Sequence, residues 1–130
     1  MKDNKPSDIA KEEDLFFGVM NLVSIEEHLV FTAMKTGKSE YIGVLNSIRE
    51  LRKFFMKKLL KNTEGEMWCI SKHLISSIMR LMETGAKYLD SNKEASVKFY
   101  KSAFDLYTIF WFLQKMKDGE HAKKIGKKNG

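Results

Sequence analysis

A chain of 130 residues with 43% hydrophobic and 31% charged residues is long enough to bury one core and too apolar to be disordered. Its single cysteine, Cys69, excludes an internal disulfide bond and suits a reducing, cytoplasmic location. The net charge of +6 is concentrated near the C-terminus, because residues 115–130 hold six lysines and two acidic residues. The longest apolar run, residues 106–113, is too short to cross a bilayer, so we expect no membrane span.

Four helical patterns follow a flexible N-terminus of residues 1–6, and no alternating Val/Ile/Thr pattern predicts a strand. The patterns cover residues 8–34, 39–61, 66–89 and 93–117. Long helices joined by short connections favour antiparallel neighbours. We therefore predict an all-α fold, an up-down-up-down four-helix bundle that forms a single domain over residues 7–117, followed by a short basic tail at 118–130. The alternative is a three-helix core whose fourth helix is exchanged into another subunit.

The first two helices carry charged residues within or beside their apolar stripes. At about 100° per residue, Glu26 falls in the centre of the first stripe and Glu27 near its edge. Arg52 lies in the middle of the second stripe, and Arg49 borders it. Charges are rarely buried without partners, and antiparallel packing would bring these groups together. We predict a buried cluster that is either a structural ion network or a polar pocket for a small anion, an amino group or a metal; exposed charges are the remaining alternative.

Lysines recur at every fourth residue on the outer side of the second helix, at Lys53, Lys57 and Lys61. Together with the lysines of the tail they could follow a phosphate backbone. Those of the tail are Lys123, Lys124, Lys127 and Lys128. A solvated charged face is the alternative. No exposed aromatic residue is expected among the lysines of the helix, so stacking on single-stranded nucleic acid is not predicted.

The third helix places Cys69 and His73 four residues apart on one side. Thiolate and imidazole can bind zinc, and His28 or Glu27 could supply a further ligand, so a zinc site is one hypothesis and simple packing of the cysteine is the other. The same pair could act as nucleophile and base, but no motif supplies the third group or the oxyanion hole. The Glu-x-x-His pairs of di-iron bundles are absent, because an isoleucine stands three residues before each of these histidines.

The fourth helix is apolar on nearly all sides over residues 106–113. The stripe predicted to serve the core consists of Tyr100, Phe104, Tyr107 and Trp111. Ile109 and Phe112 point away from that stripe. Because exposed aromatic patches mark interfaces, we predict an oligomer interface at Ile109, Phe110 and Phe112, with a dimer as the expected state. Cover by the tail or the N-terminus is the alternative.

No catalytic motif appears, so the sequence favours a protein that is not an enzyme. The leading prediction is a cytoplasmic interaction or scaffold module that self-associates through the fourth helix. The second is a bundle that binds a small ligand or a metal through the Glu/Arg cluster. The third is a basic accessory protein associated with nucleic acid or the ribosome, which rests on the lysines alone.

Overall fold

Four α-helices and no strand make up the computed structural model, which describes residues 5–116. The helices are α1 (Pro6–Thr36), α2 (Glu40–Leu59), α3 (Met67–Lys87) and α4 (Lys93–Lys115). The predicted all-α fold with four helices is confirmed, and each helix begins and ends within two residues of its predicted bounds. Most of the predicted flexible N-terminus and the predicted basic tail lie outside the described residues.

The helices begin and end at residues whose backbone chemistry favours a boundary. Pro6 opens α1, where its missing N–H costs no intrahelical hydrogen bond. Gly37 ends α1 in the left-handed conformation, with φ of 66°, and donates its N–H to the Ala33 carbonyl. Asn92 caps α4 by accepting a hydrogen bond from the Ala95 N–H at 3.1 Å.

The chain divides into two compact units, Met1–Leu59 and Leu60–Gly130. The first unit contains α1 and α2, and the second contains α3 and α4. Within each unit the two helices pack along one another and are joined by a short connection, so they run antiparallel. Two antiparallel pairs are consistent with the predicted up-down-up-down four-helix bundle.

Small residues set the distance between α3 and α4. A Cβ atom added at Gly85 would lie 2.9 Å from Cε1 of Tyr100 and 3.2 Å from Cβ of Phe99. At the same level, the fully buried Ser96 donates a hydrogen bond from its hydroxyl to the Gly85 carbonyl at 2.7 Å. The two helices therefore approach closely at the end where α3 finishes and α4 begins.

Candidate functional site

A buried ion pair joins α1 to α2. The Arg52 Nε donates to Glu26 Oε2 at 2.9 Å, and Nη2 donates to Oε1 at 3.1 Å. The two side chains are only 3% and 11% exposed. This two-pronged geometry matches the planar guanidinium to the carboxylate, which is the arrangement that best offsets the cost of removing both charges from water. The predicted buried salt bridge is therefore confirmed.

The other two members of the predicted cluster are placed differently. Arg49 is exposed, and its Nη1 lies 3.9 Å from Oε1 of the neighbouring Glu50. Its position differs from that of Arg52 by three residues, about 60° around the helix, which is enough to turn it to solvent. Glu27 is half-buried on α1. Because both oxygens of Glu26 accept hydrogen bonds from Arg52, the geometry resembles a structural ion pair more than the floor of a ligand pocket.

The predicted zinc ligands do not form a cluster among the residues that the structure describes. Cys69 and His73 are both exposed on α3. His28 is exposed on α1. No group of three or more His, Cys, Asp or Glu side chains within residues 5–116 could hold a metal ion. These residues therefore add no support to the zinc hypothesis.

A buried polar cluster at the other end of the α3–α4 pair was not predicted from the sequence. Gln114 accepts hydrogen bonds from the backbone N–H groups of Lys61 and Asn62, at 3.1 and 3.3 Å. Its amide donates to the Ser71 hydroxyl at 3.2 Å. Asn62 in turn donates from its side chain to the Met116 carbonyl. The signal for this cluster is the position of Gln114, four residues after the buried Phe110, where a polar residue needs partners.

Two predictions for the side chains of α4 are wrong. Phe110, predicted to lie in an oligomer interface, is 0% exposed and therefore cannot contribute to a surface. Phe104, predicted to serve the core, is 66% exposed. Phe112 is 63% exposed, as predicted. The buried side is formed instead by Ser96, Ala103 and Phe110, at seven-residue spacing. Ile109 is exposed as predicted, but its position in the helix lies on the opposite side from Phe104.

A continuous apolar surface, here named the α4 seam, follows the exposed flank of α4. It consists of Val97, Tyr100, Phe104, Tyr107 and Trp111, spaced alternately by three and four residues. Val97 and Phe104 are exposed, and the remaining members are half-buried. Two shallow grooves run along it, and Lys101, Asp105 and Lys115 contribute to their rims. Small-molecule sites bury most of the ligand, so this open shape suits a helix better.

The lysines of α2 lie beside an exposed aromatic residue, so the expectation that none would be present is wrong. Phe54 is exposed, and the Lys58 Nζ lies 4.9 Å from the centroid of its ring. Lys53 Nζ lies 3.5 Å from Glu50 Oε1, and Lys57 is exposed. Lys61, predicted to continue this row on the helix, is exposed but lies two residues beyond Leu59, where α2 ends. The four predicted contact lysines of the tail, Lys123, Lys124, Lys127 and Lys128, lie outside the described residues.

Within residues 5–116, one helix has the length and composition of a membrane span, although the longest uninterrupted apolar run in the sequence lies elsewhere. It is α1, with a stretch of mean hydropathy 1.3, of which 33% is buried. Core helices of soluble proteins and signal sequences meet the same criterion. The criterion alone therefore assigns no span.

Comparison of the chain with protein-family models, with curated proteins and with solved structures finds no match. The function is therefore inferred from the residues and their geometry. The features that bear on the function are the buried Glu26–Arg52 pair, the α4 seam and the side of α2 that carries Phe54 and Lys58.

Proposed function

We propose that this protein is a non-catalytic interaction module that self-associates through the α4 seam. The observation that carries the proposal is the exposure of Phe104, 66%, in the centre of a continuous apolar stripe. Transfer of a phenylalanine side chain from water to an apolar contact contributes about 1.5–3 kcal/mol. Phe112 lies beside the seam and adds to the surface that a partner would cover. The proposed location is the cytoplasm, where the exposed Cys69 would remain a thiol.

The spacing of the seam favours another helix as the partner. Apolar residues that alternate by three and four positions form the contact line of paired helices, in which each side chain fits between those of the facing helix. A second copy of α4 satisfies this pattern. In an antiparallel pair related by a two-fold axis at Phe104, Val97 of one copy would face Trp111 of the other, and a small side chain would lie against a large one.

The first test is the mass of the full-length protein in solution, measured by light scattering after size exclusion. We expect a dimer for the unmodified chain and a monomer for Phe104→Glu, because the substitution places a charge in the centre of the buried contact. Phe112→Glu should weaken the dimer as well.

The matched control is Phe31→Glu, an equal change at an exposed phenylalanine of α1. It should leave the mass unchanged. A monomeric unmodified chain, or a dimer that survives Phe104→Glu, would contradict the proposal.

The proposal does not extend to a ligand-binding or metal-binding bundle. Both oxygens of Glu26 accept hydrogen bonds from Arg52. Within residues 5–116, the histidines and the cysteine belong to no group of three or more side chains that could hold a metal ion. No observation favours either function over self-association.

A further inference from the structure

A second apolar surface, independent of the α4 seam, follows α2. Leu51, Phe54, Phe55 and Lys58 are spaced as positions i, i+3, i+4 and i+7, so they share one side of the helix. Val44 lies two turns before Leu51 on the same side. The four apolar residues are between 36% and 55% exposed. We name this surface, with the adjacent Lys57, the α2 outer face.

The α2 outer face is separate from the side that α2 buries. The buried residues of the helix are Arg52, Met56 and Leu59, which follow their own spacing of four and three residues. The helix is therefore apolar on two adjacent sides, and packing against α1 covers only one of them. Contiguous exposed apolar patches on soluble proteins mark binding surfaces.

The charges around this face are mostly positive. Residues 49–58 carry four exposed or partly exposed basic side chains and one acidic side chain, Glu50. Glu50 contacts Arg49 and Lys53, which leaves Lys57 and Lys58 without an acidic partner in the described part of the chain. Lys58 also lies over the Phe54 ring, so apolar and cationic groups form one surface.

We propose that the α2 outer face binds the surface of an anionic lipid bilayer. A helix that lies in the interface inserts its apolar side chains below the headgroups, while the flanking lysines contact the anionic groups. The aliphatic residues favour a bilayer over single-stranded nucleic acid. Bases stack on aromatic rings, and that mode would leave Val44 and Leu51 unused.

The test is cosedimentation of the full-length protein with vesicles, either of phosphatidylcholine alone or of phosphatidylcholine with phosphatidylserine. We expect binding to the vesicles that contain phosphatidylserine and much weaker binding to the neutral ones. Lys57→Glu/Lys58→Glu should reduce the affinity by at least about fivefold for each lysine. Leu51→Ser/Phe54→Ser should reduce it about tenfold or more, since the apolar contribution is lost.

Two controls separate this site from general attraction by a basic protein. Lys93→Glu/Lys98→Glu makes the same charge change at exposed residues of α4, and Ile25→Ser/Phe31→Ser makes a similar apolar change on α1. Both should retain nearly full binding. Equal losses in the controls and in the α2 variants would overturn the assignment, and so would a failure to bind anionic vesicles.

Binding of nucleic acid is tested by fluorescence polarisation of a single-stranded thymidine oligonucleotide. Binding to the oligonucleotide but not to vesicles, with dependence on Phe54 and not on Leu51, would overturn the proposal in favour of nucleic acid. Lipid binding can be tested separately from self-association through the α4 seam, because the α2 variants should keep the solution mass of the unmodified protein.

Discussion

Arg52 donates two hydrogen bonds to the Glu26 carboxylate at a place where both side chains are largely removed from bulk water. The attraction between such groups is partly cancelled by the cost of removing them from water, so the pair contributes little net stability over apolar residues of the same shape. Removal of one partner is different, because the other charge stays buried and uncompensated.

We therefore expect Glu26→Gln to lower the free energy of unfolding by about 3–5 kcal/mol, measured by urea denaturation. Glu50→Gln, a matched change at an exposed glutamate, should change it by no more than about 0.5 kcal/mol. The joint replacement Glu26→Leu/Arg52→Met should recover most of the loss. Equal unfolding curves for Glu26→Gln and the unmodified protein would show that the pair does not act as a buried lock.

The sequence identified Glu26 and Arg52 because each stands at the centre of an apolar stripe, where a charge needs a partner. The sequence did not show that Arg52 is buried and Arg49 is exposed. The two positions differ by about 60° around the helix, and the packing of α1 against α2 decides which of them faces inward. Gln114 was missed for a related reason. Its partners include the backbone N–H groups of Lys61 and Asn62, which no side-chain pattern reveals.

At the scale of the helices, the glycines within α2 and α3 have opposite roles. Gly85 lies where α3 meets α4, and a Cβ there would meet the Tyr100 ring and the Cβ of Phe99. Gly43 lies in α2, and a Cβ added there would have no neighbouring atom within 4 Å. A glycine at an open helical position costs stability relative to alanine, whereas one at a close approach is required by packing.

Gly85→Ala should therefore lower the free energy of unfolding by about 1–3 kcal/mol, since the Tyr100 ring and the Phe99 Cβ must shift to admit the methyl group. The same substitution at Gly43 should raise stability by about 0.5–1 kcal/mol through helix propensity alone. Thermal unfolding followed by circular dichroism measures both. A gain in stability for Gly85→Ala would mean that α3 and α4 approach each other less closely than these distances require.

The helix bounds could be predicted because Gly37, the Asn62–Gly65 segment and Asn92 are strong local signals. The buried side of α4 could not. The buried residues Ser96, Ala103 and Phe110 follow one another at a spacing of seven residues. Val97, Phe104 and Trp111 of the α4 seam have the same spacing and are offset from that set by one residue. Both sets satisfy a helical period, so only packing against α3 decides between them.

At the scale of the whole chain, the polar cluster around Gln114 connects the beginning of the second unit to the end of α4. Residues 61 and 62 lie more than fifty positions before Gln114 and Met116, yet they share direct hydrogen bonds. The division into two units was not visible in the sequence, because an apolar stripe reports that a side is buried and not which helix covers it.

We expect Gln114→Leu to lower the free energy of unfolding by about 1–3 kcal/mol, because two backbone N–H groups and the Ser71 hydroxyl lose their partner. Amide hydrogen exchange should show faster exchange at Lys61 and Asn62. Lys115→Leu, at the exposed neighbouring position, should leave both quantities nearly unchanged. Unaltered protection at residues 61 and 62 in Gln114→Leu would contradict the role given to the cluster.

The hydrogen bond from Asn62 to the Met116 carbonyl holds the end of α4 against the connection that leads into α3. The last turn of a helix frays unless it is tied down. The end of α4 should therefore open only together with the start of α3, as one cooperative unit.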